Sequence, residues 1–286
     1  MDYKVLSIKW RPQRFEDVVG QKHVTKTLTN SFLINRIAQG YIFSGPRGVG
    51  KTTMARLMAM SLNAEGGPSA KYDPNSNISL EIAGARSIDV LEIDGASNRG
   101  IEEIRSLREQ IKFAPMNCTY KVIIIDEVHM LTNQAFNALL RTLEEPPSHA
   151  KFIFCTTDVH KIPPTIISRC QRFDFNRISS TDIILHLNTI LEKEKIIFDD
   201  ESVSLISRKA DGSMRDALSL LDQVIAFCGD KIEYKSVADA LGLINSDLFF
   251  DFTESVFEKN EELMVKTLSK FLEFGVPAYE VINGIS

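Results

Sequence analysis

Two kinds of apolar spacing divide this chain. Up to about residue 177, short runs of consecutive apolar residues alternate with stretches whose apolar positions recur every three or four residues. Tyr41–Phe43, Asp89–Ile93, Lys121–Ile125, Phe152–Cys155 and Arg172–Phe175 have the length and composition of strands. Helical stretches between them predict a parallel α/β sheet. Ala64–Ser79, rich in Gly, Pro, Ser and Asn, reads as an insertion loop. From about Ser179 the strand-like runs stop. Thr181–Lys193, Glu201–Ala210, Ser213–Phe227 and Tyr234–Leu241 predict a compact all-helical second domain. After Gly242 come Asp247–Phe257 and Glu261–Phe274, and Tyr279–Ile285 looks like the start of another helix. The expected organisation is therefore an α/β domain over 1–177, a helical domain over 178–242, and the first part of a third helical domain over 243–286 that stops short, as in a fragment of a longer protein.

Composition narrows the class. At 286 residues, 44% hydrophobic and 25% charged, the chain has the makeup of an ordinary globular protein. No window approaches the ~18 uninterrupted apolar residues of a membrane span. The N-terminus, with Asp2, Lys4, Lys9 and Arg11, has no apolar signal-peptide core. Four scattered cysteines, Cys118, Cys155, Cys170 and Cys228, form no CxxC pair and fit reduced thiols, so a cytoplasmic protein is expected. A net charge of −5 argues against a protein that coats DNA. Any nucleic-acid contact would use a local basic stripe within a larger assembly.

The chemistry enters at Gly45-Pro46-Arg47-Gly48-Val49-Gly50-Lys51-Thr52, between the first strand and the helix-like Met54–Leu62. Glycines let backbone N–H groups close around phosphate oxygens, and the helix N-terminus adds partial positive charge. Lys51 can reach the β- and γ-phosphates, and the Thr52 hydroxyl can ligate Mg²⁺. This P-loop predicts a nucleoside triphosphate site made by Gly45, Pro46, Gly48, Val49, Gly50, Lys51, Thr52 and Thr53.

A second element is Val122-Ile123-Ile124-Ile125-Asp126-Glu127. Its apolar run suits a strand buried on both faces, and its carboxylates fall at the C-terminal end, where open α/β sheets bind ligands. Asp126 is placed to order Mg²⁺, and Glu127 to polarise the water that attacks the γ-phosphate. Thr157, closing the strand Phe152–Cys155, can bridge that water and the phosphate; Thr is also simply common in strands. Arg169 follows a helical turn begun by Pro163-Pro164. It can serve as an arginine finger on a neighbouring subunit, although composition alone makes it a surface arginine at a helix end. Arg215 falls in the first turn of a helix with Ser213 as N-cap. The helix dipole disfavours a cation there, which a facing phosphate would remedy.

Together these residues resemble an AAA+ ATPase, and more narrowly the bacterial clamp-loader family, the gamma/tau subunits of DNA polymerase III. Further matching motifs are Lys9-Trp10-Arg11-Pro12, Val18-Val19-Gly20-Gln21, Glu92-Ile93-Asp94-Gly95-Ala96-Ser97, Asp126-Glu127-Val128-His129-Met130-Leu131, Phe136-Asn137-Ala138-Leu139-Leu140, Leu143-Glu144-Glu145-Pro146-Pro147 and Ser168-Arg169-Cys170. The resemblance covers essentially the whole chain in order. It implies a P-loop AAA+ domain, a helical lid and part of a helical collar that assembles the oligomer.

It also implies that Trp10, Arg11, Pro12, Val18 and Val19 line the adenine pocket, that Thr157 is the sensor on the central strand, that Arg169 acts in trans, and that Arg215 is the lid's sensor arginine. The implied activity is ATP hydrolysis, within a holoenzyme that is a DNA-directed DNA polymerase. ATP binding would grip the sliding clamp and primer–template DNA, and hydrolysis would release them. Implied partners are other loader subunits, copies of itself, the clamp and DNA. The polymerase core and helicase would be reached through a C-terminal part that is missing here. No membrane partner is implied.

For DNA, Arg99 and Arg105 are the chosen phosphate contacts, on a basic face of Gly100–Lys112 opposite Ile101, Ile104, Leu107 and Ile111. That face equally reads as a solvated one, with Glu102, Glu103 and Glu109. The sequence departs from the family at four zinc-binding cysteines, whose places read Ala64, Asp73, Ser76 and Ser79. Alanine cannot ligate zinc and serine does so poorly, so no zinc is expected. Rival readings are a non-hydrolysing scaffold of the same fold or another AAA+ DNA-processing switch. Lys51, Thr52 and Glu127 weigh against the first, and the Leu143–Pro147 and Ser168–Cys170 motifs against the second.

Overall fold

The computed structural model describes residues 3–242 and 246–273. In chain order its elements begin with α1 (Leu6–Lys9), α2 (Lys22–Leu33), β1 (Gly40–Ser44), α3 (Lys51–Leu62), α4 (Asn77–Ala83) and β2 (Val90–Asp94). There follow α5 (Ile101–Ile111), β3 (Lys121–Asp126), α6 (Asn133–Glu144), β4 (Ala150–Thr156), α7 (Pro164–Ile167) and β5 (Gln171–Asp174). The remainder is α8 (Ser180–Glu194), β6 (Ile197–Phe198), α9 (Asp200–Ala210), α10 (Met214–Cys228), β7 (Lys231–Ile232), α11 (Tyr234–Ala240), α12 (Ser246–Phe257) and α13 (Glu261–Glu273).

The first five strands form one parallel sheet in the order β2-β3-β4-β1-β5. Successive side chains point to opposite faces, so the central strands feed two cores. Tyr41, Phe43, Val122, Ile124 and Ile153 pack with α2 and α3, while Ile42, Ile123, Ile125, Phe152 and Phe154 pack with α5 and α6. Burial on both faces is why β3 and β4 read as unbroken apolar runs. The same all-parallel arrangement brings the carboxyl ends of β1, β3 and β4 to one edge. Ser44 stands beside Thr156 in register, and Ile125 beside Phe154.

The described chain divides into two compact units: residues up to Ile190 with Ser207–Ser219, and Leu191–Ile206 with residues from Leu220 onward. The second unit holds α11, α12 and α13, where Phe249 and Phe252 lie against Phe271. It also holds a two-residue parallel pair, β6 with β7, where an all-helical region was expected. Strands this short carry no readable period. The expected insertion loop 64–79 is corrected too, because α4 begins inside it at Asn77, capped by the Ser76 hydroxyl, which accepts the Ser79 N–H. The helix expected at Tyr279–Ile285 lies outside the described residues. Among the described residues, no helix is long and apolar enough to cross a membrane.

Candidate active site

The strand β1 delivers the chain into the P-loop, and α3 starts at Lys51. Gly50, at φ 101°, turns the loop into the helix in a conformation few other residues adopt. At Gly48 a Cβ would run into the Ser213 hydroxyl, and the Gly48 carbonyl accepts the Arg215 N–H at 3.3 Å. The start of α10 thus sits directly on the loop. The buried Lys51 ammonium donates to the carbonyls of Gly45 at 2.8 Å and Pro46 at 2.6 Å. Burial lowers its pKa, and the nearby Glu127, Cys155 and Asp126 oppose that shift.

Across the loop, the Thr52 hydroxyl donates to Asp126 Oδ2 at 2.7 Å. A hydroxyl and a carboxylate are the hard oxygen donors a magnesium ion takes. Their convergence at the P-loop fits that ion, and Thr52 and Asp126 are the residues able to hold it. Glu127 follows with φ 44° and ψ 45°. Its Oε2 accepts the Thr157 hydroxyl at 3.0 Å and the Thr157 N–H at 3.3 Å. The two residues read separately from the ends of β3 and β4 are therefore hydrogen-bonded to each other.

One cavity joins these groups to the N-terminal segment. Trp10, Arg11, Pro12, Val18, Val19, residues 48–53, Asp126, Glu127 and Arg215 all line it. Gly45 and Pro46 face Lys51 through their carbonyls instead. Ser7, Arg47, Ile178, His186, Met214 and Leu218 complete the lining and were not expected from sequence. Met214 and Leu218 flank Arg215 at one-turn spacing on α10, so the helix period could have revealed them. Arg47 stood within the P-loop itself. Ser7, Ile178 and His186 carry no local signal. The walls are cationic: burial, then Arg56 and Arg215, lower the Arg11 pKa, with Glu92 opposing. Glu92 is already engaged in a bidentate pair with Arg56 at 2.7 and 2.8 Å. A cavity lined by Arg11, Arg47, Lys51 and Arg215 suits a polyanion.

Thr157 is absent from this lining and meets it through Glu127, and other expected site residues fall outside the cavity. Arg169 donates to the Thr165 carbonyl at 2.7 Å and to Glu144 Oε1 at 3.0 Å. Arg99 donates to the Ala96 carbonyl at 2.8 Å, and Arg105 pairs with Glu102 at 2.6 Å on the exposed side of α5. Ile104, Leu107 and Ile111 form that helix's buried stripe. In the insertion, Ser79 Oγ donates to the Asp73 carbonyl at 2.8 Å and lies 3.0 Å from Ser76 Oγ, while Ala64 is buried. Among the described residues, no group of three or more His, Cys, Asp or Glu is arranged to hold a metal ion.

The family described as DNA polymerase III, delta subunit, matches residues 20–179. The DNA polymerase III clamp loader subunit, ATPase lid domain, matches residues 182–230. The gamma subunit of Buchnera aphidicola subsp. Acyrthosiphon pisum is 43% identical over 282 residues, covering 99% of this chain and 78% of that protein. This chain belongs to the DNA polymerase III gamma/tau family of clamp-loader subunits. The tau subunit of Bacillus subtilis is 48% identical over 283 residues, and that of Escherichia coli 43% over 276. These cover 99% and 96% of this chain, but the chain spans only 50% and 43% of those proteins. Among solved structures, the Thermotoga maritima RuvB Holliday junction branch migration motor superposes with a TM-score of 0.61 at 14% identity, over 94% of this chain and 86% of that one. That likeness concerns the fold, an AAA+ ATPase architecture.

Proposed function

We propose that this chain is the ATP-hydrolysing motor of a clamp loader, placing the sliding clamp on primed DNA in the bacterial cytoplasm. The observation that carries this reading is the meeting of Lys51, Thr52, Asp126, Glu127 and Arg215 around one cationic cavity. In it, P-loop N–H groups and Lys51 bind the triphosphate, and Trp10, Arg11, Pro12, Val18 and Val19 take the adenine. Thr52 and Asp126 hold Mg²⁺, which when bound neutralises charge on the phosphate oxygens. Glu127 accepts a proton from the attacking water, and Thr157 orients it against the γ-phosphate. Arg215 couples the lid to the phosphates.

Arg169 serves a neighbouring subunit. Its guanidinium lies outside its own chain's cavity lining, hydrogen-bonded to Glu144, which supports action in trans. Arg99 and Arg105 contact the DNA backbone. The partners are companion loader subunits, further copies of the chain, the clamp and primer–template DNA.

The test is steady-state ATP hydrolysis by the full-length protein with its companion subunits, with and without clamp and primed DNA. Strong stimulation by both together is expected. With Arg169→Ala, stimulated turnover falls by about a thousandfold while nucleotide affinity holds. Turnover indifferent to clamp and DNA would instead mark another AAA+ switch, and no turnover a scaffold.

A further inference from the structure

Glu127 has a neighbour that the reading above leaves unused. His129 lies in the short 3-10 turn Val128–Met130 that follows Glu127, held by the fully buried Val128. Its Nδ1 is 3.3 Å from Glu127 Oε2 and 3.1 Å from Thr156 Oγ1. Thr156 is itself fully buried at the end of β4, and its oxygen accepts the Asp158 N–H at 3.0 Å. The contact with the carboxylate favours the proton on Nδ1. A lone pair on Nδ1 would face Glu127 Oε2 repulsively, whereas an Nδ1–H is attracted to it and to the Thr156 oxygen at once.

We infer that His129 is a positioning residue for Glu127. It ties the carboxylate to the rigid tip of β4 through Thr156; the inference rests on Glu127 being the general base. Glutamate has three side-chain torsions, and a base must lie within hydrogen-bond reach of the water it deprotonates. In this structure Thr157 spends its hydroxyl on Glu127 Oε2. When that hydroxyl turns to a γ-phosphate, the carboxylate loses a donor, and the imidazole continues to fix its direction.

The experiment uses the full-length chain assembled with its companion subunits, clamp and primed DNA. It measures kcat at saturating ATP, ATP Kd and thermal stability for each variant. His129→Ala is expected to lower kcat by about tenfold to a hundredfold with Kd unchanged. His129→Asn, which keeps an N–H near the Nδ1 position, should recover most of the loss. Thr156→Val removes the anchor but neither the ring nor the carboxylate, so it should lower kcat less and keeps the test open if His129→Ala fails to fold. Added to Glu127→Gln, His129→Ala should cost nothing further, because the ring acts through the carboxylate. Normal kcat in His129→Ala beside an inactive Glu127→Gln would overturn the inference, as would kcat and affinity falling together or no recovery with Asn. Normal turnover in Glu127→Gln would instead overturn the reading of Glu127 itself.

Discussion

The P-loop and the insertion that follows α3 are both rich in glycine and small polar residues, yet they keep their shapes by opposite means. Around the P-loop, charged groups face a cavity in which cations outnumber carboxylates: Arg11, Arg47, Lys51 and Arg215 share that wall with Asp126 and Glu127. In the insertion the named polar groups bond to the chain itself, within the segment or to Gln13. Ser79 Oγ donates to the Asp73 carbonyl, Ser76 Oγ caps α4, Asp73 Oδ1 accepts the Asn75 N–H, and the Tyr72 hydroxyl donates to the Gln13 carbonyl. A site built for an outside ligand must carry charge left unbalanced until the ligand arrives. A segment that only holds itself together can exchange one set of internal bonds for another, here hydrogen bonds at positions where the family resemblance implies thiolates.

The largest effect that would sharpen this contrast is on Lys51. Lys51→Ala should reduce ATP turnover by about a hundredfold or more, because the charge that follows the phosphates is gone. Fluorescent-nucleotide titration should show weakened binding, while thermal melting changes little. Unchanged binding and turnover would dissolve the distinction between the two regions. Next comes Arg215→Ala. It removes one cation from the wall and spares the Gly48 carbonyl bond, which uses the Arg215 backbone. Affinity for ATP should fall by about tenfold, the loss of one charge-assisted hydrogen bond, with a smaller loss for ADP. Equal losses for both nucleotides would place the guanidinium away from the γ-phosphate.

How much of this was legible in the sequence follows from the same division. The sheet was readable because β3 and β4 are buried on both faces, which demands unbroken apolar runs. The start of α10 was readable from Ser213, whose hydroxyl accepts the Asp216 N–H at 3.2 Å. The P-loop and Asp126-Glu127 announce themselves because phosphate and metal chemistry fixes residue types at fixed spacing. Helix α4 was missed since its seven residues bury only Ser79 and Ile82, too few for a period to register. Ser7, Ile178 and His186 were missed because tertiary packing, not local pattern, carries them to the cavity. The tie of His129 to Glu127 was hidden inside a motif quoted only for its resemblance.

A smaller effect separates the insertion from the nucleotide site. Ser79 is buried, and Ser79→Ala removes its donation to the Asp73 carbonyl. The expected cost is about 1–2 kcal/mol, a lost hydrogen bond plus a carbonyl left unsatisfied. Thermal melting should register it and ATP affinity should not. Weakened nucleotide binding in this variant would show that the insertion supports the site rather than only itself.

The smallest expected effect is the most exposed to refutation. If hydrogen bonds organise residues 64–79, the purified protein should carry no stoichiometric zinc by elemental analysis. A zinc-selective chelator should also leave its melting temperature and its Mg²⁺-dependent ATP turnover where they were. The chemistry leaves little room for another result. Ala64 offers no ligand atom, the Ser76 and Ser79 hydroxyls are engaged with each other and with Asp73, and the Asp73 carboxylate already accepts a backbone N–H. Neutral hydroxyls would have to give up those bonds and lose protons to compete with the thiolates zinc prefers. One equivalent of zinc surviving purification, with melting lowered on its removal, would mean that other residues bind it and that the internal bonds do not suffice.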